Sequence, residues 1–172
     1  MTMHHETRQV SVFALEMVKP GKLGPTLQPH PADDASCTTA IDMKADKLPT
    51  VAGGYPATCG GLVGVPSSNP GRIKGGARNV SMALLATSLT GITPYIDRPV
   101  LDQTGLTGNY DFLIEFTPEF TGPPPPGSNF TPDPTGPTFV EALKEQLGLK
   151  LDSQKGPADV IVVDHIDHPT DN

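Results

Sequence analysis

Between Arg98 and Phe116 the chain reads RPVLDQTGLTGNYDFLIEF, and its apolar positions frame the rest. Tyr110, Phe112, Ile114 and Phe116 alternate with Asp111, Leu113 and Glu115. That period of two predicts a half-buried strand with one aromatic face. Val100 and Leu101 predict a shorter strand before it, with Pro99 suited to its first position. Gly105 and Gly108 bracket Leu106-Thr107 and supply the positive φ of a tight turn, so a hairpin is expected. Near the start, Gln9 to Lys19 is rich in Val10, Val12, Phe13, Ala14 and Leu15 and predicts a strand buried on both faces at its centre. Residues 1–8 are polar and read as a frayed end. Met82, Leu85 and Leu89 fall on one helical face behind a cap at Asn79 or Ser81, and Thr90-Gly91 closes that helix. A second helix is predicted from Thr138 to Leu147. Thr138 or Thr135 caps it, Pro137 suits its first turn, and Phe139, Val140, Leu143 and Leu147 share a face. Gly148 stands where a C′ glycine belongs. Leu149 to Asp152 then reads as a strand, Lys155-Gly156-Pro157 as a turn, and Ala158 to Ile166 as a final strand.

These periods predict an α+β fold: a small antiparallel or mixed sheet with two helices on one face, plus long irregular Gly/Pro-rich segments. Three regions follow. Residues 1–19 are an N-terminal strand segment, 20–70 an irregular loop or inserted lobe, and 71–172 the α+β core. A Pro-rich spacer at 121–137 interrupts the core, its run Pro123 to Pro126 taking an extended polyproline conformation.

Composition sharpens this picture at a few points. Twenty prolines and 18 glycines among 172 residues, with 36% hydrophobic, mean a smaller core than the length allows. The net charge of −7 and the absence of any basic run argue against nucleic acid. No apolar run reaches the roughly 18 residues that a membrane helix needs. MTMHHETRQV lacks the apolar core of a signal peptide. Cys37 and Cys59 are the two cysteines, and their surroundings leave a disulfide and two free thiols both open.

Candidate chemistry is sparse. Asp164-His165-Ile166-Asp167-His168 packs four possible ligands together, and His165, Asp167 and His168 are the candidates for a surface zinc or nickel site. A solvated strand end is the better reading, because such sites need a fixed surrounding shell. Ser81, His165 and Asp102 make a triad on paper, but Gly-x-Ser-x-Gly is absent. Asp102-Gln103-Thr104-Gly105 departs from the Asp-Thr-Gly of aspartic proteases by the inserted Gln103. Gly75-Gly76 lacks the Lys-Ser/Thr of a phosphate-binding loop. Asp111 and Glu115 are about 13 Å apart by strand rise, too far for a glycosidase pair, and read as a solvated face. No catalytic residue, cofactor-binding residue or cofactor is assigned on these grounds.

Four stretches carry a resemblance: HHETRQVSVFALEMVKPGKLGPTLQP, ARNVSMALLATSLT, RPVLDQTGLTGNYDFLIEFTPE and FVEALKEQLGLKLDSQKGPADVIVVDHIDHPTDN. Together they resemble the middle and C-terminal part of the soil-associated family of uncharacterised proteins, abundant in acidobacteria and known as a domain of unknown function. The resemblance implies export, which favours a Cys37–Cys59 disulfide. It also implies a signal peptide and a preceding half, which this chain as written does not carry, so a shortened chain is expected. No catalytic residue comes with it. The helix–strand–turn–strand unit is also similar to the short N-terminal domain of secretins and TonB-dependent receptors, which implies protein interaction in the periplasm. Two functions follow. The first is a non-enzymatic exported module binding a protein or peptide. The second is a small hydrolase or metal-dependent enzyme completed by an absent N-terminal half.

Overall fold

The computed structural model describes residues 2–34, 36–37, 49–92, 96–120, 122 and 130–165. Among them the fold is α+β. In chain order come β1 (Thr2–Met17), β2 (Leu27–Pro29), β3 (Gly61–Val65), β4 (Ile73–Ser81), α1 (Met82–Leu89), β5 (Val100–Asp102), β6 (Asn109–Phe116), α2 (Phe139–Ala142) and β7 (Leu149–His165). The strands form two sheets, ordered β5-β1-β7 and β2-β6-β4-β3.

The apolar run at the centre of β1 is what anchors the first sheet: Val12, Ala14 and Leu15 are all fully buried. β1 runs antiparallel to β7 along its whole length, from Met17 opposite Leu149 to Thr2 opposite His165. β5 lies parallel to the other edge of β1 and covers only Phe13 to Leu15. The guanidinium of Arg98 sits 4.9 Å from the centre of the Phe13 ring there. Two expectations change. Residues 2–8 are strand, since β7 offers a distant partner that no local pattern reveals. Lys155-Gly156-Pro157 continues β7 without turning. A Cβ on Gly156 would meet Val12 at 2.8 Å and Leu101 at 3.0 Å, so glycine serves close packing there.

The second sheet is antiparallel throughout. Two of its strands, β2 and β3, come from residues 20–70. Ala77 faces Phe112, Gly75 faces Ile114 and Ile73 faces Phe116, so the middle of the apolar face of β6 lies beside two small residues of β4. The expected hairpin is absent: β5 and β6 belong to different sheets. The turn between them crosses from one sheet to the other. Gly105 (φ 69°) and Gly108 (φ 84°) take left-handed backbone in it, and Asp102 accepts from the Thr104 amide and hydroxyl.

Ser81 caps α1, its Oγ accepting from the Leu84 amide at 3.1 Å. Thr138 and Glu141 form a reciprocal capping box for α2. The helix then widens into a π-helical turn, Leu143–Leu147, and ends at Gly148 with φ 72°. Phe139 meets Phe116 edge to face at 4.9 Å, which places the second helix on β6 as its apolar face predicts. One continuous core takes residues from both helices and both sheets, with Leu15, Met82, Leu85, Phe112, Leu143 and Leu149 at its centre.

Cys37 and Cys59 are joined, with Cα atoms 5.4 Å apart. Pro123 to Pro126 lie outside the described residues. The C-terminal end of the spacer is tied down: Arg72 Nε donates to Asp133 at 2.8 Å, and the Thr117 hydroxyl donates to the Asp133 carbonyl at 2.9 Å.

Candidate functional site

The aromatic face of β6 is only partly covered by the two helices. Between them an open cavity of about 330 Å³ remains. Leu62, Gly64, Gly75, Ile114 and Phe116 form its floor, Leu85, Leu89 and Ile92 one wall, and Phe139, Leu143 and Leu147 the other. The floor is low because Gly64 and Gly75 stand opposite each other across β3 and β4. A Cβ on Gly64 would meet nothing within 4 Å, and one on Gly75 would make only ordinary contacts. Ile73 and Ile92 at the rim are 43% and 42% exposed. β3 is the outermost strand of this sheet, so the groove opens beside a sheet edge.

The opposite face of the sheet carries a different chemistry. There the disulfide holds the segment Tyr55 to Cys59 against β4, where Pro56 approaches Gly76. Arg78, 2% exposed, donates to the carbonyls of Pro56 and Ala57, both at 3.3 Å, and to the Ser36 hydroxyl at 2.7 Å. It also pairs with Asp34. The hydroxyl and amide of Ser36, then Arg78, hold the Asp34 carboxyl well below the usual range. Asp111, 4% exposed, accepts from His30 Nδ1 at 2.7 Å and from the Asn79 amide at 2.9 Å. Asn79 itself takes a positive φ of 55° where the pairing of β4 with β6 shifts register. Burial, and then the charge of Asp111, push the Tyr55 hydroxyl up.

This network corrects the reading of Asp111 as a solvated carboxylate. The alternation of β6 puts it on the polar face, where His30 and the Asn79 amide enclose it with Tyr55 of the stapled segment near by. Glu115, four positions on, is also drawn in: it pairs with Arg72 at 3.7 Å and accepts from Ser67 at 3.1 Å. His30 and Asp34, four residues apart, are brought to Asp111 and Arg78 respectively, and sequence reasoning did not find them. The one local signal was an arginine, Arg78, between Ala77 and Val80 in a strand.

The residues singled out earlier are dispersed. Ser81 caps α1, Asp102 caps the turn after β5, and His165 ends β7. Asp167 and His168 lie outside the described residues. Among the described residues no three of His, Cys, Asp and Glu gather as a metal site. Gly105, Gly108 and Gly148 all take positive φ at chain turns. No described helix is long and apolar enough to cross a membrane.

No curated protein and no solved structure matches the chain. The profile described as protein of unknown function (DUF3738) matches residues 1–166, nearly the whole sequence, and the chain therefore belongs to the DUF3738 family.

Proposed function

We propose that the chain is a non-enzymatic, exported interaction module whose groove receives the apolar side chains of a partner protein or peptide. The observation that carries this reading is the open cleft between α1 and α2, floored by Gly64 and Gly75. Contiguous apolar surface that a fold leaves uncovered marks interaction sites, and a groove between helices beside a sheet edge suits peptide capture. The Cys37–Cys59 bridge supports export, because disulfides persist in oxidising compartments. The buried polar groups support a binding role over a reaction. Arg78, Asp34, His30 and Asp111 all find partners that fix the stapled segment to the sheet.

A peptide library displayed on phage, panned on the purified protein, tests this. Enriched sequences are expected to share spaced apolar residues and to lose binding to Gly64→Leu, which fills the floor where a Cβ meets open space. Enriched peptides that bind Gly64→Leu equally well, or no enrichment at all, would overturn it.

A further inference from the structure

The outer edge of β1 carries a pattern that the groove does not use. Phe13 donates its amide to the Pro99 carbonyl, and the Leu15 carbonyl accepts from the Gln103 amide, both at 2.9 Å. Odd-numbered residues of β1 therefore aim their backbone groups outward, toward β5. Val18, of even number, donates instead toward β7, to Gly148. The register with β7 is unbroken from Met3 to Met17, so this parity holds along the strand. Met3, His5, Thr7, Gln9 and Ser11 thus present N–H and C=O groups outward. Among the described residues no strand lies beside them, since β5 begins only at Phe13. All five residues are exposed. A two-stranded ribbon with such an edge is marginal alone and is a template for another strand.

We propose that this edge pairs with the same edge of a second copy, antiparallel about a two-fold axis at Thr7. The register follows from the residues. Outward groups must meet outward groups, so only pairings of odd with odd positions are allowed. Centred on Thr7, Thr7 meets its own copy, His5 meets Gln9, and Met3 meets Ser11. Glu6 then lies opposite Arg8, and Arg8 opposite Glu6, in the closely spaced positions where side chains interact most. The neighbouring two-fold registers place Glu6 on Glu6 or Arg8 on Arg8, which like charges disfavour. The Thr7 register also spans Thr2 to Val12, the whole free edge, and stops where β5 begins. The result is a continuous four-stranded sheet, β7-β1-β1-β7, across the two copies, with an isologous interface.

Sedimentation equilibrium on the purified chain tests this without any peptide present. The wild type is expected at twice 18.1 kDa. Glu6→Arg and Arg8→Glu each place like charges opposite one another twice, and each is expected to weaken the dimer by about tenfold or more. Mixing the two variants restores attraction at both positions, so the mixture should dimerise as heterodimer while neither variant does alone. That rescue cannot arise from variants that fail to fold. A wild type that stays monomeric, a dimer unchanged by either substitution, or a mixture that remains monomeric would overturn the proposal. Gly64→Leu leaves this edge untouched and should dimerise normally, so failure here and failure of the groove are separable.

Discussion

At Arg78 a single side chain holds the stapled segment to the sheet. The carbonyls of Pro56 and Ala57 have it as donor, and Asp34 and Ser36 reach it from the other side. Arg78→Met keeps the length of the side chain and removes every donor. It should lower stability by about 1–3 kcal/mol for each buried carbonyl left unsatisfied, read from the urea midpoint. Carboxylates set the acid limit. The hydroxyl and amide of Thr135, then Arg72, push Asp133 down to about 2 from its ordinary 3.8, and Asp34 is shifted the same way. A carboxyl with its folded-state value depressed stabilises the fold above its unfolded value and loses that contribution as pH falls through the folded one. The melting temperature should therefore fall between about pH 4 and 2, and Asp133→Asn should flatten that slope. An unchanged slope would show that Asp133 plays no part. At this scale the sequence was a poor guide. Asp111 sits on the polar face of its strand as alternation requires, yet His30 and Tyr55, far off in the chain, decide that it is enclosed.

The helices were the most legible elements, because what defines them is local. Ser81, Thr138, Glu141 and Gly148 are caps that act within a turn of their own positions, and the apolar spacing of each helix matches the face it buries, except that Val140, expected on the buried face of α2, is exposed and Ala142 takes its place. Leu143 is fully buried where the π-helical turn meets β6. Leu143→Ala should cost about 2–5 kcal/mol in thermal or urea unfolding. An unchanged midpoint would show that the second helix does not depend on this contact. The π-helical widening itself has no evident cause in the sequence. Strands were read less well. Gly105 and Gly108 do turn the chain, but turn residues alone say nothing about which sheet the next strand joins. Likewise Gly156 and Pro157 look like a turn, whereas Val12 and Leu101 pack so closely that a glycine within a continuous strand is what fits.

For the whole molecule, the disulfide is the main device that compensates for a modest core. It closes a loop of about twenty residues, which in the chain-entropy model stabilises by about 3 kcal/mol. Replacing both Cys37 and Cys59 with serine should lower the stability by roughly that amount, measured as the shift in urea midpoint. A larger loss would mean that Arg78 loses its partners along with the bridge. The α+β class was legible from the mixture of periods, but the division into two sheets was not. That division depends on β1 pairing with both β5 and β7, and residues so far apart leave no local mark on each other. The same pairing has a consequence for how the chain is made. Thr2 and His165 are neighbours, so the long ribbon closes a loop through the entire described chain. Such high contact order makes folding slow, and on the ribosome β1, apart from the three residues that β5 covers, must wait for its partner until β7 has been synthesised. The nascent chain thus stays incompletely folded until β7 emerges, which is the state in which a polypeptide can still be threaded through a membrane pore.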